Sequence, residues 1–352
     1  MRLLVFNPEN DLALAADSPY YTPPASALQF ARDCSDLPQL WAEPGDYIWH
    51  HAATPCDIPA DVLRSITSVQ PWGWSKLLVS QLRKAGVPIG LLPTNVQMDV
   101  FRAATGRAVT ERLLKQFHTQ HSNNSDFIGD TRRCNSLEDV LRFHREYPRM
   151  LLKAPWSGSG RGLHAVSTPQ LTDGDIAWTC RCLQRQGYVM SEPKYRKIMD
   201  LALEFQLTDA GTAEYRGLSL FVTSGAGVYA GNLVADEDTK LNIVGRYIDT
   251  QLLAAVRQFY EQQLPLSLDT FYRGPVGVDM MIVDDGRAKL HPCVEVNVRM
   301  TMGHVAMHLA RSQAQAQPAL FAITHREGRY AAELMPCAYL PEMLAALGAS
   351  AL

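Results

Sequence analysis

Two apolar, β-prone runs, Gly274 to Val283 and Val294 to Arg299, carry charged and amide side chains among residues that otherwise belong in a core. The first holds Asp279; the second holds Glu295, Asn297 and Arg299 at alternate positions, which on a strand share one face. Taking an unpaired carboxylate out of water costs several kcal/mol, so two acids on such strands need a partner. A divalent metal is the simplest one they could share. Hard oxygen donors suit Mg²⁺, which keeps several waters and binds substrate phosphates. A solvated strand face accounts for any one acid alone, but less readily for the set.

A second run, Leu151 to Leu163, places Lys153 near the end of an apolar strand that enters a loop rich in glycine and serine, Ser157-Gly158-Ser159-Gly160-Arg161-Gly162. Glycines let backbone N–H groups approach an anion, serines add donors, and Lys153 and Arg161 supply charge for phosphate oxygens. The loop is neither a Walker A sequence nor a G-x-G-x-x-G fingerprint. A flexible hairpin turn is its plain alternative. A third run, Tyr188 to Tyr195, ends a strand in Glu192 and Pro193, where the chain must leave the sheet. Its backbone could pair with a purine edge, and Asp200 lies within reach of a ribose hydroxyl.

These residues need two strands joined at Asp284-Asp285-Gly286, a hairpin turn signal. Asp279 and Glu295 are too far apart for a minimal hairpin with that turn, since direct pairing would centre it on Arg287. The second strand is therefore expected to carry an asymmetric loop or bulge near Pro292, which cannot donate a ladder hydrogen bond. Upstream, strands are expected at 3–7, 47–50 and 87–92, with helices at 25–33 and from Ser75 through Lys84, closed by Gly86. That alternation describes a small open α/β sheet. Asn7 to Asp11 follow its first strand, at the edge where such sheets bind ligands; a polar turn is the alternative. Helices at 96–103, 107–118 and 136–146 precede strands at 150–154, 187–192, 201–207, 218–223 and 228–233, and a helix spans 249–262. Gly225, Gly227 and Gly231 with Asp236 to Asp238 could form a substrate flap or a solvated hairpin tip.

With 352 residues, two or three domains are expected. A net charge of −3 leaves no basic excess for a generic nucleic-acid binder. No run is long and apolar enough to span a membrane, and Met1 to Asn7 is too short for a signal segment. Seven cysteines without a CxxC pair fit free thiols in a reducing cytoplasm.

In order and spacing these motifs resemble the ATP-grasp superfamily of ATP-dependent carboxylate–amine ligases, such as D-alanine–D-alanine ligase, glutathione synthetase and biotin carboxylase. The resemblance covers about residues 95 to 315. It implies a mixed α/β and α+β chain: a Rossmann-like pre-ATP-grasp domain over 1–94, an ATP-grasp domain of two α+β subdomains over 95–330, and a tail or helix over 331–352. Nucleotide would lie between about 145–205 and 270–305. By that resemblance Lys153 and residues Ser157, Gly158, Ser159, Gly160, Arg161 and Gly162 hold phosphates. Glu192, Pro193, Lys194 and Tyr195 form the adenine hinge, and Asp200, or less readily Glu204, meets ribose. Asp279, Glu295 and Asn297 hold Mg²⁺ or Mn²⁺, and Arg299 lies by the transferred phosphate. Members usually carry a nucleotide-binding lysine where this chain has Arg107, and Arg107 is expected to substitute for it.

The implied reaction is carboxylate activation by ATP as an acyl phosphate and its capture by an amine, with small-molecule substrates and no nucleic-acid or membrane partner. Oligomeric state is unread. Asn7, Asn10, Arg246, Arg273 and His304 are candidates to line the substrate pocket. A small-molecule kinase, or a nucleotide-binding protein without turnover, would use the same machinery.

Overall fold

The computed structural model describes residues 1–50, 58–158, 162–223, 228–268, 270–312 and 317–336. Three sheets organise them. The first is parallel, ordered β2-β1-β3 from Tyr47–Ile48, Arg2–Val5 and Ser68–Pro71. Leu3, Leu4 and Val5 are buried, as a strand covered on both faces requires. Around it lie α1 (Asn10–Ala16), α2 (Ala25–Asp33), α3 (Ala60–Ser65) and α4 (Lys76–Lys84). Ser75 caps α4 by accepting from the Leu78 N–H, and Gly86 follows its end with φ +85°.

One expected strand and one alternative reading in this layer fail. The third strand is β3, not 87–92; Pro88 inside that segment and Pro93 after it lack the N–H groups a ladder needs, and Ile89–Leu91 forms a 3₁₀ turn. Asn10 and Asp11 are not a free turn but begin α1.

Next come α5 (Asn95–Thr105), opened by a reciprocal Thr94–Gln97 cap, and α6 (Ala108–Gln120). A small antiparallel sheet follows, ordered β4-β7-β5-β6 from Arg132–Cys134, Val189–Pro193, Met150–Lys153 and Leu163–Val166. Helices α7 (Leu137–Glu146) and α8 (Asp173–Gln186) pack on it through Val140, Phe143 and Cys182 against Met150, Leu152, Val166 and Val189.

The largest sheet is antiparallel, with seven strands in the order β12-β11-β8-β9-β10-β13-β14. They are β8 (Arg196–Leu207), β9 (Ala213–Thr223), β10 (Tyr229–Val234), β11 (Gly274–Asp284), β12 (Ala288–Asn297), β13 (Ala319–Arg326) and β14 (Arg329–Pro336). Helix α9 (Glu237–Val244) packs on β9, α10 (Gln251–Ser267) on β8 and β9, and α11 (Met302–Ser312) spans β8 to β11. Asp236 to Asp238, read as a hairpin tip or flap, instead start α9, with Asp236 accepting from the Thr239 N–H. The glycines at 225 and 227 lie outside the described residues. Of the expected C-terminal tail or helix, residues 331–336 belong to β14, and 337–352 lie outside the described residues. No helix among the described residues is long and apolar enough to cross a membrane.

Candidate nucleotide and metal site

The β11–β12 register brings the acids together. Asp279 lies directly across from Glu295, and Gly277 from Asn297, so all three polar side chains share one face. Between Asp279/Glu295 and the next pair, Met281/His291, the register shifts and β12 carries extra residues around Pro292. The Pro292 carbonyl is taken by the Tyr260 hydroxyl at 3.2 Å, which anchors the bulge from α10. The bulge expected from the sequence spacing is present, and it brings Asp279 and Glu295 into cross-strand register.

Asn297 ties the group: its amide donates to Asp279 Oδ2 at 3.0 Å, and its oxygen accepts from Arg299 at 3.0 Å. Burial pushes the Asp279 carboxyl well above the usual carboxylate range, and the like charges of Glu295 and Glu204 add to the shift. Glu204 is wholly buried on β8, paired with Gly277, with Oε2 3.0 Å from His304 Nδ1.

Arg107 occupies the joint between α5 and α6. Gly106 lets the chain turn there, since a Cβ would lie 2.6 Å from the Tyr188 hydroxyl and 2.9 Å from Trp156. The Arg107 N–H donates to Pro155 O at 3.1 Å, and its guanidinium to Ala154 O and to Ser157 Oγ at 2.7 Å. The other side of the fork meets Glu295 at 2.8 and 2.9 Å. Its terminal N–H groups are thus spent on the loop after Lys153 and on a candidate metal ligand, and Nε is buried without a partner.

Lys153 and Glu192 form a buried pair at 2.7 Å, each side chain 5% exposed. Glu192 faces Leu151 across β5–β7, which sets it on the Lys153 side of the sheet. The hinge continues through Pro193, exposed Lys194, whose N–H donates to Arg149 O at 2.9 Å, and Tyr195, whose ring packs edge-on against His291 of β12. The Gly/Ser loop is pinned at both described ends: Ala154 N–H bonds Gly162 O at 2.8 Å, and a Cβ at Gly158 would lie 3.0 Å from Asp11 Oδ2. Ser159, Gly160 and Arg161 lie outside the described residues.

The other candidates have protein partners of their own, lie exposed, or line the cleft from the N-terminal layer. Asp200 is engaged by Lys197 and by Thr223 at 2.7 Å. Among the pocket candidates, His304 is buried against Thr301, Glu204 and the Phe205 carbonyl. Arg246 is exposed, and Arg273 is exposed and bonded to the Thr270 and Tyr272 carbonyls. Asn7 is buried and bonded to Gly73. Only Asn10 reaches the cleft, which is also lined by Asp11, Thr105, Ser157, Glu295 and Arg299. Sequence reasoning missed Asp11 as the partner of Arg299; the polar run after the first strand was the only signal for it.

The donors fit a hard divalent ion. Among the described residues no three His, Cys, Asp or Glu side chains cluster as a metal cage. Two carboxylates and an amide oxygen with a spare lone pair instead suit Mg²⁺ that takes its remaining ligands from phosphate and water. Burial first, and the like charges of Glu295 and Glu204 second, raise the Asp279 carboxyl, and a bound cation would offset both.

A three-stranded parallel layer, a small antiparallel sheet ending in a buried lysine, and a large antiparallel sheet bearing paired acids together define the ATP-grasp fold, and the chain has that fold. It is similar over 99% of its length, and 96% of the other chain, to N5-carboxyaminoimidazole synthetase from Staphylococcus aureus complexed with ADP, at a TM-score of 0.53 and 10% identity. It is similar over 92% of its length, and 75% of the other chain, to a biotin carboxylase from Campylobacter jejuni in a β-γ-ATP complex, at 0.52 and 12%. For N5-carboxyaminoimidazole ribonucleotide synthetase from Thermus thermophilus the figures are 100%, 99%, 0.50 and 13%. No protein-family model matches the chain, and no curated protein matches it in sequence.

Proposed function

We propose that the chain is an ATP- and Mg²⁺-dependent ligase that activates a small carboxylate as an acyl phosphate for attack by an amine. The observation that carries this reading is the cross-strand pairing of Asp279 with Glu295, joined through Arg107 to the loop that follows Lys153. The nucleotides in two of the similar structures, ADP and β-γ-ATP, support a nucleotide in this cleft.

In this reading residues 1–94 form a pre-ATP-grasp domain, 95–330 the two-part ATP-grasp domain, and 331–352 a C-terminal extension. Free thiols fit a cytoplasmic enzyme. Asp279, Glu295 and Asn297 would hold Mg²⁺, or Mn²⁺ in its place, which neutralises phosphate charge when bound. Lys153 and residues 157–162 orient the β- and γ-phosphates, Glu192 to Tyr195 bound the base, Asp200 would meet the ribose in exchange for its Lys197 and Thr223 contacts, and Arg299 steadies the transferring phosphoryl group. A carboxylate oxygen of the substrate attacks the γ-phosphorus and the bond to ADP breaks. The amine then attacks the acyl carbon, phosphate leaves with the C–O electron pair, and the nitrogen loses its proton to form the amide. Catalysis of the first step is positioning plus electrostatics.

Thermal-shift measurement with Mg·ATP, followed by ADP release across amino acids, amines and small carboxylates, tests the proposal. Stabilisation by Mg·ATP and substrate-dependent ADP formation are expected, both lost in Asp279→Ala with the fold intact. No stabilisation at saturating nucleotide would sink the reading. A stable phosphorylated product without amide formation would replace the ligase with a kinase.

A further inference from the structure

We propose that Asp11, from the N-terminal parallel layer, is a positioning residue that aims Arg299 at the γ-phosphate; the inference rests on the nucleotide reading above. Asp11 and Arg299 lie 288 residues apart in sequence and meet as a fork. Arg299 Nε donates to both Asp11 oxygens at 3.1 and 3.2 Å, and Nη2 to Oδ2 at 2.9 Å. The remaining Nη2 hydrogen goes to Asn297 Oδ1, and one Nη1 hydrogen to Met300 O at 3.2 Å. A guanidinium has five N–H groups. Among the described residues one, on Nη1, has no partner, so the group offers a single directed donor instead of a bidentate clamp.

The layer that supplies Asp11 holds the neighbouring backbone as well, since the Met300 N–H donates to Trp72 O at 2.9 Å. Asp11 and Arg299 are only 21% and 19% exposed, and both line the cleft with Glu295 and Asn297. Gly158, at the start of the phosphate loop, lies over Asp11, where a Cβ would come within 3.0 Å of its carboxylate. The same carboxylate is therefore bonded to the arginine and lies beside the first glycine of the loop. Without the fork, a long guanidinium side chain beside two acids has several orientations, and the free N–H loses its direction.

Calorimetric titration of the full chain with Mg·ADP and with magnesium adenylyl imidodiphosphate tests this. Wild type should bind the triphosphate analogue more tightly than ADP. Asp11→Asn should lose about tenfold in affinity for the analogue while keeping ADP affinity within about twofold, as expected for loss of one aimed charge-assisted hydrogen bond. Arg299→Met should behave alike, the double variant should be no worse than either single, and Asp11→Glu should recover part of the loss. Tighter analogue binding by Asp11→Asn would make the pair a latch and overturn the proposal. Equal losses for both nucleotides, or no change in either, overturn it too, while leaving the nucleotide reading standing. A wild type that binds neither nucleotide overturns both. Should Asp11→Asn fail to fold, the Asp11→Glu and Arg299→Met titrations decide.

Discussion

Arg107 and Glu295 are 188 residues apart in the chain and 2.8 Å apart in the cleft, where one guanidinium joins the loop after Lys153 to the acid opposite Asp279. An arginine at this joint does what a lysine could not. A point-charge ammonium cannot reach Ala154 O, Ser157 and Glu295 together, whereas a planar fork can. Its terminal donors are spent on the protein, so Arg107 couples the loop to the candidate metal ligand Glu295 and has no terminal donor left for phosphate.

Arg107→Ala is accordingly expected to destabilise the chain by about 3 kcal/mol, the low end for removing one partner of a buried ion pair, because Glu295 keeps a quarter of its exposure. Arg107→Lys should recover less than half of that loss. Urea unfolding of the three proteins measures it, and a lysine variant as stable as wild type would contradict the bridging role.

Glu192→Gln leaves the Lys153 ammonium buried without its counter-charge and should cost roughly 3–5 kcal/mol. Replacing both partners, Lys153→Met with Glu192→Leu, should restore most of the stability while abolishing Mg·ATP binding. Recovery of folding together with retained nucleotide affinity would show that Lys153 does not touch phosphate.

His291 supplies a pH dependence with a definite sign. Burial holds its imidazole down to about 3, with the Lys153 and His118 charges contributing less. In the unfolded chain a histidine titrates near pH 6.5. The folded pKa is depressed, so this stability is complete above about pH 6.5 and is lost toward pH 3, at about 1.4 kcal/mol per unit. Between pH 7 and 5 wild type should lose about 2 kcal/mol more than His291→Gln, as read by chemical unfolding at each pH. Parallel losses would show that the ring is not held neutral.

Gly303→Ala would set a Cβ 1.9 Å from Glu204 Oε1 and 2.6 Å from Ser219 Oγ, inside a packed layer. A cost of about 3 kcal/mol is expected, since a buried carboxylate must move. Gly286→Ala, at φ +77° with nothing within 4 Å, should cost only about 1 kcal/mol, the strain of a left-handed backbone. Equal values for the two variants would remove the proposed crowding around Glu204.

Local chemistry was legible in the chain wherever it acts over a few residues. Ser75 announced its helix, Pro292 and the long Asp279–Glu295 spacing announced a bulge, and the alternation of Glu295, Asn297 and Arg299 announced a shared face. The segment 87–92 misled because its apolar residues resemble a strand, while Pro88 within it and Pro93 after it remove ladder donors. Asp236 misled in the opposite sense, since a charged run reads equally as a solvated tip or as a helix cap.

By itself, then, the sequence determined which residue types sit at which spacing on strands, and so which side chains share a face. Only the tertiary structure decided their partners from distant segments: Asp11 for Arg299, Arg107 for Glu295 and Glu192 for Lys153. The physical reason is range. Backbone periodicity and capping act within a turn or a strand, whereas a buried charge takes its partner from whichever segment the packing of three sheets brings within about 3 Å.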